Sequence, residues 1–227
     1  MAFGLSLHLT FHGLGPVPAS VDACERPYWL SRAGFESLLD RAGASCVAAG
    51  VRFEVHFDDG NGSDLDIALP ALAARGLTAT FHVLAGRIDK PGALSAAALR
   101  ELAAAGMTIG SHGFDHVDWR KLDDGALKRE LVDARRLIED AVGAPVAMAA
   151  LPFGAFDRRV IEAVRQAGFA AVGSSAGGLA VAGAFLVPRT SPRADWDIPA
   201  RIAGMTSLRA KLEAWPRRLR RRAKWGG

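Results

Sequence analysis

Apolar residues occur along this chain in two rhythms. Short, nearly continuous runs at 4–11, 51–57, 78–83, 107–110, 146–150, 169–173 and 184–187 have the length and character of buried strands. Between them lie stretches whose apolar positions recur three and four apart, the spacing of one helix face, as in Phe35/Leu38/Leu39, Leu99/Leu102 and Val160/Ile161/Val164. Ser31, Ser95 and Asp157 precede these three stretches, where a side-chain oxygen can cap the first free backbone N–H groups of a helix. Arg75-Gly76-Leu77, Ala105-Gly106-Met107 and Ala167-Gly168-Phe169 repeat one junction, a helix stopped by a left-handed glycine and followed directly by a strand. Helices are expected near 31–42, 64–75, 95–105, 124–142 and 157–167. Strands alternating with helices predict an α/β fold with a mainly parallel sheet, open or closed into a barrel. Side chains for chemistry gather at the carboxyl ends of such strands.

Composition narrows the class. With 227 residues, half of them apolar and 23% charged, the chain can bury a sizeable core, which excludes a mostly disordered protein. The net charge of +4 is unevenly spread. From Ser207 onward eight Lys or Arg face one acid, a net +7, which leaves residues 1–206 at −3. The expected organisation is a folded α/β body at 1–206 and a basic tail at 207–227. Arginines beside Trp215 and Trp225 make an anionic membrane surface a candidate partner for that tail, and a solvated terminus is the alternative. Nucleic acid is not an expected partner, because the body has no comparable basic patch.

Cys24 and Cys46 form neither a disulfide framework nor a structural zinc pattern. The first nine residues lack Lys and Arg and are interrupted by His8, so they do not read as a signal peptide, and the expected location is cytoplasmic, including the inner face of the membrane. The uncharged stretch 166–188 is long enough to cross a bilayer, but its five glycines and two serines read as strand, turn and strand.

Two segments concentrate potential chemistry. Val55-His56-Phe57-Asp58-Asp59-Gly60 ends a hydrophobic strand on two adjacent carboxylates, and Ser111-His112-Gly113-Phe114-Asp115-His116 ends another on His-x-x-x-His. Each alone is compatible with a turn or with chance. Together, at the ends of parallel strands, one carboxylate and two imidazoles make a three-ligand set that leaves a metal position open, with the second aspartate free to act as a base.

These segments resemble the motifs of the polysaccharide deacetylases, the carbohydrate esterase group that includes the chitooligosaccharide deacetylases of nodulation. The resemblance spans roughly 5–190. Phe57-Asp58-Asp59-Gly60 is similar to the first motif, Thr78-Ala79-Thr80-Phe81 to the strand after it, Ser111-His112 with His116 to the histidine motif, and Leu151-Pro152-Phe153-Gly154 to an Arg-x-Pro-aromatic-Gly loop. It implies a distorted (β/α) barrel of about seven parallel strands and hydrolysis of an N-acetyl group on a carbohydrate. It also implies a divalent metal, Zn²⁺ first with Co²⁺, Ni²⁺ or Mn²⁺ as alternatives, held by Asp59, His112 and His116. Asp58 is then the catalytic base, and the backbone N–H of Phe153 stabilises the oxyanion. The early Phe11-His12-Gly13 also resembles a segment of a branch linked to exopolysaccharide synthesis. The resemblance, with the expected cytoplasmic location, makes a surface-polysaccharide precursor or an oligosaccharide the expected substrate.

Two departures stand out. The motif arginine that fixes the catalytic aspartate in the family is Ala150 here, and all six histidines lie at or before position 116, so the family's late histidine acid is absent. Arg189, just beyond the last predicted strand, is the candidate replacement for the arginine. His12 is the candidate acid, and His82 a weaker one. Phe114, Trp119 and Trp196 are the candidate faces for stacking on a sugar. The alternative function is a catalytically impaired deacetylase fold that binds carbohydrate or serves in assembly.

Overall fold

The computed structural model describes residues 4–207 apart from Ser20, Asp22 and Cys24. Nearly all of the basic tail and its expected membrane contact lie outside the described residues. Among those described, no helix is long and apolar enough to cross a membrane.

All seven expected strands form: β1 (Leu5–Phe11), β2 (Arg52–Phe57), β3 (Ala79–Val83), β4 (Thr108–Ser111), β5 (Met148–Ala150), β6 (Ala171–Ser174) and, after one unexpected strand, β8 (Leu186–Pro188). The additional strand, β7 (Leu179–Val181), lies within the uncharged stretch and pairs antiparallel with the start of β1. The sheet order is β7-β1-β2-β3-β4-β5-β6-β8, and every pairing except β7–β1 is parallel. β7 occupies the lower edge of β1. Higher up, Thr10 donates to the Thr190 carbonyl (2.9 Å) and Thr190 donates to the His8 carbonyl (2.8 Å), so the chain beyond β8 closes the ring against β1. The fold is a distorted, nearly closed (β/α) barrel.

The outer face of the strands is apolar. Leu7, Leu9, Phe11, Val55, Phe57, Phe81, Ile109 and Val172 are buried against the surrounding helices. Because strand side chains alternate, the intervening residues point into the barrel, and these are largely polar: Ser6, Thr10, His56 and His82 are all buried.

The expected caps form. Ser31, Ser95 and Asp157 accept from the backbone N–H groups of Gly34, Ala98 and Val160 at the starts of α1 (Arg32–Ala49), α3 (Ala96–Ala104) and α6 (Arg158–Gln166). Gly76, Gly106 and Gly168 all adopt positive φ at the junctions. Helix α1 runs seven residues past its expected end because nothing stops it before Gly50, whose left-handed backbone (φ 64°) does. The helices expected near 64–75 and 124–142 are composite. A π turn at Asp64–Ala68 leads into α2 (Leu69–Ala73), and α4 (Asp124–Lys128) passes through a π turn at Arg129–Asp133 into α5 (Ala134–Val142). A last helix, α7 (Ile198–Thr206), capped by Asp197, packs on α1 and has no counterpart in the expected pattern.

Candidate active site

Asp58 and Asp59 follow β2 directly, and the backbone turns between them: Asp59 has φ 77°, which sends the two side chains to different surroundings. Asp58 is buried beneath the barrel mouth. Arg189, itself 1% exposed, grips it with both terminal nitrogens, Nη1 to Oδ1 at 2.7 Å and Nη2 to Oδ2 at 2.9 Å. Burial alone would raise the Asp58 pKa, but the Arg189 charge, the neighbouring His112 and the two hydrogen bonds outweigh it and hold the carboxyl well below the usual carboxylate range. Arg189 therefore makes the contact with Asp58 for which the resemblance required an arginine at Ala150, reaching it from beyond β8, two strands further round the ring than β5. The path is open because Gly173 on β6 has no side chain. A methyl there would overlap the Arg189 Nε, Cδ and Cζ atoms.

Asp59 turns toward the second motif. Its Oδ1 lies 3.6 Å from His112 Nε2 and 3.8 Å from His116 Nε2, and one ligand atom from each of the three residues falls within 4.8 Å of the others. Tetrahedral ligands about 2.0–2.1 Å from zinc stand roughly 3.3 Å apart, so a divalent ion fits with contraction of a few tenths of an ångström along the two measured edges. The tautomer suits it as well. His112 Nδ1 donates to the Ala150 carbonyl at 3.0 Å, which leaves Nε2 with its lone pair toward Asp59. Burial lowers the His112 pKa against the pull of Asp58 and Asp59, so the ring is a neutral donor.

Strain is gathered at the same place. Among the described residues, four that are not glycine have positive φ, and three of them are Asp59, His116 (54°) and Phe153 (58°). Phe153 is 64% exposed, and its ring centroid is 4.5 Å from that of His116, so its ring packs beside that histidine. A cavity of about 270 Å³ opens over Asp59 and His116 and is lined further by Glu25, Leu84, Arg87 and Phe114. Phe114 thus borders the cavity as expected, although the Arg129 guanidinium covers its ring at 3.7 Å.

The other expected residues are placed differently. Trp119 is 1% exposed and presents no face to a sugar. Its indole N–H donates to Glu130, so this expectation is corrected to a packing role. Trp196 is packed against the core, with Arg201 over its ring at 3.6 Å, and it does not line the cavity. His12 lies at the end of β1, its ring 5.7 Å from Tyr28. Its carbonyl accepts from Asn61, which ties it to the Asp58-Asp59 loop, but its side chain is not part of the cavity wall.

Two supporting residues were not foreseen. Buried Glu130 accepts from the backbone N–H groups of Phe114 (2.7 Å) and Asp115 (3.3 Å), fixing the loop that carries both histidines. Arg87 donates to the Asp59 carbonyl (3.4 Å) and to Asn61 Oδ1 (3.2 Å). The signal for Glu130 was present: an acid amid Leu127, Leu131, Ala134 and Ile138, on the apolar face of its helix.

Comparison with known proteins agrees with this construction. The family model described as polysaccharide deacetylase matches residues 52–172, which contain both motifs and the Pro152-Phe153-Gly154 turn. A curated relative, "Putative polysaccharide deacetylase YxkH" of Bacillus subtilis (strain 168), is 22% identical over 146 residues, covering 62% of this chain and 52% of the relative. The chain thus spans about half the length of that protein. Among solved structures, the polysaccharide deacetylase BC0361 from Bacillus cereus superposes with a TM-score of 0.75 at 19% identity, over 89% of this chain and 69% of that one. IcaB from Ammonifex degensii does so with a TM-score of 0.73 at 23% identity, over 88% and 97%. At these identities the superpositions establish a shared barrel. With the family model covering more than half of the sequence, including the paired aspartates and the histidine motif, the chain belongs to the polysaccharide deacetylase family.

Proposed function

We propose that this protein is a metal-dependent hydrolase that removes an N-acetyl group from a carbohydrate, a surface-polysaccharide precursor or an oligosaccharide. The observation that carries the reading is the division of labour between adjacent carboxylates: Asp58 is locked to Arg189, and Asp59 faces His112 and His116. Asp59, His112 and His116 would hold the ion, with Zn²⁺ the first candidate. Bound there, a divalent metal supplies Lewis-acid polarisation of a carbonyl and lowers the pKa of water.

The protein's own groups do the rest. Asp58, ionised across the neutral range, accepts a proton from the attacking water, and Arg189 keeps its oxygens oriented while it does so. Phe153 offers its ring to the sugar, and its strained backbone places the N–H proposed for the developing oxyanion. One such donor is worth about 100- to 1,000-fold in rate. Phe114 borders the cavity beside His116 and Asp59.

The test is metal content together with acetate release from a panel of N-acetylated oligosaccharides. About one ion per chain is expected, lost in Asp59→Ala and His116→Ala, with acetate release abolished in Asp58→Asn while the ion is retained. Metal content that is unchanged in both ligand variants would overturn the ligand set. One specific feature favours a second reading, a carbohydrate-binding or assembly component: no histidine follows His116. Retained metal with no acetate above the Asp58→Asn control would select it.

A further inference from the structure

The two loops that carry the proposed ligands do not meet directly. The Asp59 loop follows β2 and the histidine loop follows β4, with β3 between them in the sheet. At the ordinary strand spacing, β2 and β4 run roughly 10 Å apart, yet one ligand atom from each of Asp59, His112 and His116 lies within 4.8 Å of the others. Among the described residues, no main-chain hydrogen bond joins 58–62 to 112–116. What spans the gap is the loop on the intervening strand, residues 84–94, which leads from β3 into α3.

That loop is bonded on both sides. Toward the histidines, the Ala85 N–H donates to the Gly113 carbonyl (2.9 Å) and the Gly86 N–H donates to the Phe114 carbonyl (3.0 Å). Gly86 permits this approach, since a methyl there would stand 2.8 Å from the Phe114 carbonyl oxygen and 2.9 Å from its ring. Toward the aspartates, the Leu94 N–H donates to the Gly60 carbonyl (2.9 Å), and the Gly62 N–H donates to the Gly92 carbonyl (2.9 Å). The fourth non-glycine residue with positive φ, Asp89 (63°), lies between these two sets of contacts, and its Oδ1 accepts from the Ala96 N–H at 3.0 Å.

Arg87 is the side chain at the centre. It lies on the cavity wall with Asp59 and His116, and its terminal nitrogens reach the Asp59 carbonyl (3.4 Å) and Asn61 Oδ1 (3.2 Å). Asn61 is itself 7% exposed and donates to the His12 carbonyl (3.3 Å), which ties the same fork to the end of β1. Both acceptors are neutral, so what the guanidinium contributes here is direction, two fixed N–H prongs that a lysine cannot reproduce. The Asp59 carbonyl belongs to the peptide that joins two consecutive left-handed residues, Asp59 (φ 77°) and Gly60 (φ 66°). A left-handed residue other than glycine relaxes to an ordinary backbone unless its surroundings hold it, and such a rotation would swing the Asp59 side chain away from the histidines.

We propose that Arg87 is a positioning residue for the metal site: fixed by its loop to the histidine segment, it holds the Asp59 peptide and thereby sets the distance between Asp59 and the two imidazoles. The proposal rests on Asp59, His112 and His116 being the ligand set described above. Each member of the acidic pair is then held by its own guanidinium, Asp58 through its carboxylate and Asp59 through its main chain.

The test uses the full chain with Co²⁺ as the probe, because its visible absorption reads both affinity and ligand geometry. Arg87→Met keeps most of the stem and removes the fork. It is expected to weaken Co²⁺ binding about 10- to 100-fold, the usual cost of losing a group that orients a ligand, and to change the absorption bands. Arg87→Lys should recover at most part of that loss. Gly86→Ala, which pushes the same loop off the histidine segment, should weaken binding in the same direction, and it stands in if Arg87→Met does not fold. In metal-free protein, the Gly62 and Leu94 amides, which join the two loops, should exchange about 10-fold faster in Arg87→Met than in wild type, as the loss of a hydrogen bond from a charged donor implies. Wild-type affinity and bands in Arg87→Met, or equal exchange at Gly62 and Leu94, would overturn the proposal. So would a defect confined to KM for acetate release, which would make Arg87 a substrate contact. A wild-type chain that binds no Co²⁺ overturns the ligand set of the hydrolase reading instead, and amide exchange alone then decides whether Arg87 clamps the two loops.

Discussion

Arg189 and Asp58, separated by 131 positions in sequence, form a two-pronged ion pair with almost no contact with solvent. Removing one partner strands the other charge in a low-dielectric interior, a loss of about 3–5 kcal/mol, whereas removing both leaves no orphan. Urea denaturation of Arg189→Met, Asp58→Asn and the double variant should therefore show the double variant to be less destabilised than the sum of the singles. Strict additivity would mean that the pair is not coupled.

The family's arginine position is Ala150, and the guanidinium now arrives from beyond β8. Transplanting it back is a direct check. In Arg189→Ala, the substitution Ala150→Arg should recover part of the lost stability and acetate release. Gly173→Ala should reproduce the Arg189 defect, because the added methyl displaces the side chain, an overpacking loss of roughly 1–3 kcal/mol.

Two buried aspartates should respond to pH in opposite directions. Asp58 has a depressed pKa, so its stabilising contribution is present above the unfolded carboxylate value near 3.9 and is lost as pH falls below it. Asp64 is fully buried, neither of its oxygens makes a hydrogen bond of ordinary geometry, and burial followed by the charge of Asp59 raises its pKa well above the usual range. Its folded form holds a proton that the unfolded chain releases, so stability is lost as pH rises from about 4 toward its folded pKa. In metal-free protein, Asp64→Asn should raise Tm relative to wild type at pH 8 and give no gain at pH 3. An equal gain at both would exclude protonation as the cause.

Phe153 combines an exposed ring with left-handed backbone, a combination of little structural benefit. Phe153→Gly relieves about 1 kcal/mol of backbone strain and removes little buried area. Its expected phenotype is unchanged or increased Tm with a lower kcat/KM. A clear loss of Tm would show that the ring is chiefly structural.

Much of this was legible in the sequence because local rules carried it. Serine and aspartate caps, glycine stops and apolar runs located every parallel strand, and the chemistry at the ends of β2 and β4 identified the face that bears the site. What escaped depends on distant partners. β7 is three residues long and is a strand only because β1 offers it an edge. Trp119 looked like a loop aromatic beside the histidine motif, yet Glu130, 11 residues on, draws it inward. Asp64 sits in a π turn, where the widened helix carries an acid to the interior, and periodicity alone does not announce such a turn.

The ring closure between β1 and the segment after β8 has a consequence for how the molecule fails. Thr190 supplies the last main-chain bonds of the barrel, and its neighbour Arg189 supplies the grip on Asp58. The seam and the orientation of Asp58 are therefore set by two consecutive residues. A local opening there would free Asp58 from Arg189 while most of the helices and sheet remain intact, so loss of the proposed acetate release at low denaturant would report on the clasp of the barrel and not on its bulk.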